Sequence, residues 1–237
     1  MHSHDWRVCV VAAVLLAGPG RVLVAQGGTA AFPAPARPVA AITGPDWHTE
    51  AARDREGEAK EVFDFLRLEP GIRVADIGAG SGYYSVRLAQ RLGTRSVIYA
   101  EDIEETYLGR LQARLEHEKV RGVTLVLGGA ADPQLPPGSV DLALMSHMYH
   151  EIANPYEFLY NLAPAVAPGG RVAVVDVDRP TDRHGTPAAL LRCEMAAMGY
   201  RQLAIQRLDG DKTYVAVFDV PAHPTAPGQI KVCRPGR

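Results

Sequence analysis

Three glycines and an aspartate in the segment VADIGAGSGYYS, residues 74–85, have a spacing that suits the binding of a small ligand. Gly78, Gly80 and Gly82 occupy every second position, and Asp76 precedes the first of them by two residues. Glycine loses more conformational freedom on folding than any other residue, so this cluster does not serve stability. It indicates a sharp turn and a close approach between the backbone and a ligand.

The spacing excludes two common phosphate-binding loops. The dinucleotide fingerprint G-x-G-x-x-G would need glycine at position 83, which is Tyr83, and no Gly-Lys-Ser/Thr sequence follows the segment. A G-x-G-x-G loop preceded by an acid instead suits a ligand that has a cationic amine and no phosphate.

A second polar cluster, SHMYHEI, occupies residues 146–152. Its members His147, Tyr149, His150 and Glu151 are candidates for a general base or for groups that orient a substrate. Helix capping or packing is the structural alternative for each of them. His147 and His150, three residues apart, could hold a metal ion together with a glutamate, but we expect no metal site. Farther along the chain, Asp176, Asp178 and His184 are expected to be solvated loop residues.

Strands and helices alternate along residues 46–220, which predicts a parallel sheet covered on both faces. The predicted strands are 72–77, 96–101, 123–128, 140–145, 171–177, 200–208 and 213–220. The predicted helices are 50–68, 81–92, 104–119, 155–165 and 187–199. Only DGDK connects the last two strands, so they must form an antiparallel hairpin. We expect an α/β fold: a doubly wound, seven-stranded sheet, mostly parallel, with an antiparallel last strand. The glycine loop then lies at the carboxyl end of the first strand, where such sheets bind ligands.

Four segments resemble, in order, the motifs of class I S-adenosylmethionine-dependent methyltransferases. They are VADIGAGSGYYSVRLA, VIYAEDI, LPPGSVDLALMSHMYHEI and LAPAVAPGGRVAVVD. With the terminal hairpin, the resemblance covers about residues 60–220, and it is closest to small-molecule methyltransferases of the quinone-biosynthesis kind. It implies a Rossmann-like fold and S-adenosylmethionine as cofactor. It also implies methyl transfer by in-line displacement to an unidentified, small-molecule acceptor.

The resemblance further implies which residues contact the cofactor: Asp76, Gly78, Ala79, Gly80, Gly82, Glu101, Asp102, Ile103 and Asp132. Asp76 and the glycines would line its methionine end. Asp102 aligns with the acid that holds the ribose hydroxyls, and its neighbour Glu101 could take that place. Asp132 would lie near the adenine amine, or else would only form a loop turn.

The chain divides into four parts by composition. Arg7 precedes an apolar run, 8–18, that is too short to span a bilayer, and Ala25 is a plausible cleavage point. Residues 1–25 are therefore expected to be a signal peptide, followed by a Pro/Ala/Gly-rich leader (26–45), the methyltransferase domain (46–220) and a flexible tail (221–237). This predicts a periplasmic or secreted protein, or a cytoplasmic one if the start is mis-assigned. Whether Cys193 and Cys233 pair cannot be read from the sequence.

Composition limits the partners. The 237 residues carry a net charge of −2 without any long run of lysine or arginine, so no nucleic-acid partner is expected. We expect no stable membrane span in the mature chain, and the sequence leaves the oligomeric state open. Because S-adenosylmethionine is made in the cytosol, a second hypothesis is an exported, non-catalytic ligand-binding protein that retains the methyltransferase fold.

Overall fold

Seven strands form one sheet in this computed structural model, which describes residues 31–42, 50–208 and 212–234. The strands are β1 (Arg73–Ile77), β2 (Val97–Asp102), β3 (Val123–Leu127), β4 (Val140–Ser146), β5 (Val166–Val177), β6 (Arg201–Arg207) and β7 (Thr213–Asp219). The helices are α1 (Glu50–Glu56), α2 (Glu58–Leu66), α3 (Tyr83–Leu92), α4 (Glu105–His117), α5 (Pro155–Leu162) and α6 (Ala188–Ala197). The predicted signal peptide lies outside the described residues.

The strand order is β3-β2-β1-β4-β5-β7-β6. All pairs from β3 to β5 are parallel, and β7 runs antiparallel to both β5 and β6. The predicted doubly wound sheet with a reversed last strand is therefore confirmed. The chain moves outward from β1 to β3 and then returns to the other side of β1, so the crevice between β1 and β4 is the switch point where such sheets bind ligands.

Apolar side chains cover both faces of the sheet. Ala75 and Ile77 of β1 join a buried cluster with α5 and α6, whereas Val74 joins a second cluster with α2 and α3. Alternate residues of β1 thus point to opposite cores, as expected for a strand buried on both sides. No helix in the described part of the chain is long and apolar enough to cross a membrane.

Two predicted elements differ from the structure. The helix predicted over 50–68 is two helices, because Gly57 has a φ of +75° and interrupts it. The strand predicted to begin after the PGG turn instead starts at Val166 and continues through it. Its pairing with β4 jumps from Val140–Val166 to Leu142–Arg171, so the extra residues are accommodated as an irregularity inside the strand.

Both ends of the described chain are attached to the domain, which their Pro-, Ala- and Gly-rich composition did not indicate. In the leader, the buried Arg37 forms an ion pair with Glu194 of α6 at 3.0 Å. In the segment expected to be a flexible tail, Cys233 forms a disulfide with Cys193 of α6. The Cys233 amide also donates a hydrogen bond to the Tyr156 hydroxyl at 3.0 Å.

Candidate active site

A cavity of about 270 Å³ opens at the carboxyl ends of β1, β2 and β4. The glycine loop, the end of β2, the loop after β4 and the first two helices all contribute to its wall. The lining residues discussed below are Arg53, Glu58, Gly78, Ala79, Gly80, Glu101, Asp102, Ile103, Gly129, Ala130, His147, Met148 and Glu151.

The three glycines of the loop have left-handed backbones but different surroundings. Gly80 has a φ of +55°, and no described atom lies within 4 Å of the place where a Cβ would project. At Gly78 a Cβ would meet the Met148 side chain at 3.0 Å, and at Gly82 it would lie 2.3 Å from Leu111 of α4. Gly80 therefore leaves the backbone open to a ligand. Gly82 instead lets α3 pack against α4 and does not line the cavity.

Asp76, which was expected at the methionine end of the cofactor, does not line the cavity. It is 2% exposed, and the Ser85 hydroxyl donates a hydrogen bond to its Oδ2 at 2.6 Å. Burial raises the pKa of Asp76 to about 6. Its visible role is to connect β1 to the first turn of α3, directly beneath the glycine loop.

Two acids at the end of β2 face this loop, and both line the cavity together with Ile103. Asp102 accepts hydrogen bonds from the Gly80 amide at 2.7 Å and the Glu104 amide at 2.9 Å. Glu101 is 1% exposed, and its Oε2 accepts one from the Gly78 amide at 3.3 Å. Its buried Oε1 has no hydrogen-bond partner among the described residues. Burial, followed by the nearby charges of Asp102 and Asp76, raises the pKa of Glu101 to about 8.

The side chain of Asp132 forms a turn and does not line the cavity. Its Oδ1 accepts a hydrogen bond from the Gln134 amide at 2.8 Å, and its backbone pairs with Gly129 in both directions. Gly129 and Ala130 line the cavity instead. The loop predicted to approach the adenine therefore borders the site through its backbone, and Asp132 fits the alternative of a structural turn.

Of the four candidate catalytic residues, the structure brings His147 and Glu151 to the cavity. Tyr149 and His150 lie behind the cavity wall, at 0% and 1% exposure. His147 has a φ of +54°, a conformation that is strained for a residue other than glycine and that recurs at functional sites. Its Nε2 lies 3.2 Å from Oε2 of Glu58, so the ring is held by a carboxylate.

Of the three residues expected to be solvated after β5, Asp176 is buried, whereas Asp178 and His184 are partly exposed. Asp176 is fully buried and lies 3.0 Å from the Nδ1 atom of His150. Asp178 accepts a hydrogen bond from the Ala188 amide at 3.1 Å, which caps the first turn of α6. Polar side chains in this region are therefore committed to specific partners.

Sequence reasoning missed Arg53 and Glu58, which lie on α1 and α2. Arg53 donates a hydrogen bond to Glu58 at 2.7 Å, and its guanidinium lies 3.6 Å from the centre of the Tyr83 ring. The Tyr84 hydroxyl also donates to Glu58, at 2.8 Å. Burial alone would raise the pKa of Glu58, but its hydrogen bond to His147 and the charge of Arg53 hold that pKa well below its usual range. Charged residues on an amphipathic helix resemble a solvated face, so the sequence carried no signal for them.

Part of the chain is similar to known methyltransferases. The sequence model of the family described as "Methyltransferase domain" matches residues 75–174. A demethylmenaquinone methyltransferase of Listeria welshimeri is 22% identical over 121 residues, which are 51% of this chain and 51% of that protein. The chain thus spans about half the length of the curated relatives it matches.

Solved structures share the fold. A SAM dependent methyltransferase from Aquifex aeolicus superposes with a TM-score of 0.64 at 19% identity, covering 68% of this chain and 88% of that one. A possible exported protein from Bordetella parapertussis has a TM-score of 0.56 at 16% identity, covering 72% and 68% of the two chains. At these identities the structural likeness establishes the architecture alone.

Proposed function

Since the chain belongs to the class I S-adenosylmethionine-dependent methyltransferases and is related to the quinone methyltransferases, we propose that it methylates a small molecule bound in the cavity. The observation that carries the proposal is that Gly80, open on its Cβ side, lines the same cavity as the two acids Glu101 and Asp102. A loop of this kind with an intact acid pair serves ligand binding and has no packing purpose at Gly80.

The residues present fit S-adenosylmethionine, the cofactor that the family uses. The loop from Gly78 to Gly80 would accept it against the main chain, and the Glu101–Asp102 pair would hold its ribose hydroxyls. Glu101 supports this assignment because its Oε1 is buried without a partner among the described residues, so a ligand hydroxyl could satisfy it. When bound, the cofactor supplies a methyl group on a sulfonium, which is open to in-line displacement.

The remaining wall would position the acceptor. Arg53 and Glu58 fix the imidazole of His147, which borders the cavity and can take a proton from an acceptor hydroxyl. Glu151 offers a second hydrogen-bond acceptor in the same wall. Much of the acceleration of such a transfer comes from orientation, so we expect these groups to contribute mainly by positioning.

We also propose that the protein works outside the cytoplasm. The Cys193–Cys233 disulfide supports this location, because stable disulfides belong mainly to oxidising compartments. The mature chain recovered from a periplasmic fraction should then begin near Gln26, as determined by mass spectrometry. Intact Met1 on cytoplasmic protein would contradict the export proposal and leave the methyltransferase proposal standing.

Calorimetry of the mature chain against S-adenosylmethionine tests the binding step, and transfer of a labelled methyl group to a reduced demethylmenaquinone analogue tests the reaction. We expect saturable binding and turnover. In the variant His147→Ala, we expect cofactor affinity to be retained and turnover to fall. Binding without turnover on quinone-type acceptors would favour the exported, non-catalytic binding protein, and absence of binding would contradict both hypotheses.

A further inference from the structure

Two histidines behind the cavity wall converge with a glutamate of the wall itself. His150 and Glu151 belong to the short 3-10 helix after β4, and His184 follows a second 3-10 helix, Thr181–Arg183, after β5. One potential ligand atom from each of the three residues lies within 4.8 Å of the other two. Imidazole nitrogen combined with a carboxylate oxygen is a ligand set typical of Zn²⁺ and other divalent transition metals.

The orientation of His150 strengthens this reading. Its Nδ1 lies 3.0 and 3.1 Å from the two oxygens of the buried Asp176 carboxylate. A carboxylate only accepts hydrogen bonds, so Nδ1 is the donor, which leaves Nε2 as the nitrogen whose lone pair a metal ion can bind. That Nε2 is buried and has no hydrogen-bond partner among the described residues. A carboxylate behind a histidine is the arrangement that orients metal-binding imidazoles in proteins.

Asp176 itself is firmly held. Its Oδ2 accepts a hydrogen bond from the Thr186 hydroxyl at 2.6 Å, and its Oδ1 accepts one from the Val177 amide at 2.8 Å. The fixed carboxylate therefore limits rotation of the His150 ring, so that Nε2 keeps its direction. This matters for a metal ligand, because an ordered imidazole loses little entropy when it binds the ion.

His184 is also held in position from its backbone. It has a φ of +56°, and its carbonyl accepts two hydrogen bonds from the Arg179 guanidinium, at 3.0 and 2.9 Å. Its ring meets that of His150 edge to face, with 5.6 Å between the ring centres. The two imidazoles are thus neighbours in the fold, although 34 positions separate them in the sequence.

We propose that His150, Glu151 and His184 bind a divalent transition-metal ion of the Zn²⁺ class. Three protein ligands would leave at least one coordination position for a further group, as in metal sites that bind small molecules. Because Glu151 also lines the cavity, the ion would border the space where a second ligand can enter. The proposal concerns metal binding alone and does not depend on methyl transfer.

The test uses the mature chain with its disulfide intact, purified through a tag without histidine and stripped of metal. Zn²⁺ is titrated by calorimetry, and Co²⁺ by visible absorption, whose bands report coordination by nitrogen and oxygen. We expect one site per chain that Mg²⁺ does not compete for. His184→Ala should weaken Zn²⁺ binding by more than about a hundredfold, and Asp176→Asn, behind the site, by about 10–100-fold.

His117→Ala is the matched control, since His117 is an exposed histidine at the end of α4. It should bind Zn²⁺ like the wild type. Glu151→Gln replaces a partly exposed ligand and provides a second test that does not depend on the buried His150. The proposal is overturned if the wild type does not bind Zn²⁺. It is equally overturned if His184→Ala and Glu151→Gln bind as the wild type does, or if His117→Ala removes the binding.

Discussion

Replacement of Glu101 by glutamine should increase stability near pH 8 and remove a pH dependence that the wild-type protein shows. The pKa of Glu101 rises from its ordinary value of 4.5 to about 8 in the folded protein. Below pH 4.5 the carboxyl is protonated in both states and costs nothing. As the pH rises from 4.5 to about 8, the unfolded chain releases this proton while the folded chain retains it, so stability is lost with increasing pH.

The magnitude follows from the two pKa values. They differ by about 3.5, and at about 1.36 kcal/mol for each pKa unit this gives a cost on the order of 5 kcal/mol above pH 8. A domain of this size shifts its melting temperature by about 2–4 °C per kcal/mol, so the effect corresponds to roughly 10–20 °C. Glutamine keeps an amide oxygen for the Gly78 N–H, so the variant removes the ionisation while retaining this hydrogen bond.

The assay is urea or thermal unfolding of the ligand-free protein between pH 4.5 and 8.5. We expect the stability difference between Glu101→Gln and the wild type to grow steadily across this interval. Glu104→Gln, at an exposed position just after β2, is the control and should show no such growth. A difference that is the same at every pH would mean that Glu101 is ionised or solvated in the folded state, and the reasoning from its burial would be refuted.

Three further variants test the loop and the leader. Asp102→Ala should weaken S-adenosylmethionine binding by roughly one to two orders of magnitude, as measured by calorimetry, because we propose that this carboxylate accepts hydrogen bonds from the ribose hydroxyls. It should also lower the free energy of unfolding by about 1–3 kcal/mol, because two backbone amides lose their acceptor; unchanged urea denaturation would contradict this. Gly80→Val should abolish cofactor binding but retain the circular dichroism spectrum of the folded protein, since a β-branched side chain would enter the open space of the cavity. Normal binding would show that the loop does not contact the cofactor. Arg37→Ala should destabilise the protein by about 3–5 kcal/mol because Glu194 remains buried without its partner, and the double variant Arg37→Met/Glu194→Leu should recover most of that loss in urea denaturation.

The architecture could be predicted because it depends on patterns that are local in the sequence. Apolar runs such as those of β1 and β5 mark strands buried on both faces, and a connection as short as DGDK permits only a hairpin. Predicted and observed bounds differ mostly by one or two residues, as for β2 at 96–101 against Val97–Asp102. The larger miss, the extension of β5 through PGG, depends on hydrogen bonds to β4 that no local pattern encodes.

The site was predicted only in part, because residues of one type serve different purposes. Gly80 and Gly82 share the same loop and the same left-handed backbone, yet one faces the cavity and the other avoids a clash with Leu111. Only the position of α4 distinguishes them. Asp76 and Asp102 differ in the same way. Asp76 is buried and accepts a hydrogen bond from the Ser85 hydroxyl, whereas Asp102 lines the cavity and accepts one from the Gly80 amide of the loop.

Buried charges mark the limit of reading from sequence. A buried charge needs partners that compensate for the loss of water. One partner of Glu58 is His147, which lies 89 positions away in the sequence. Arg53 and Glu58 precede residues 75–174, the part of the chain that matches the family model. The resemblance therefore indicated the glycine-loop side of the cavity but not the part of the wall that these two residues form. If that wall contacts the acceptor, then acceptor choice depends on residues outside the shared domain. Relatives with the same glycine loop could then methylate different molecules. They would share the residues that bind the cofactor but differ in the residues that surround His147.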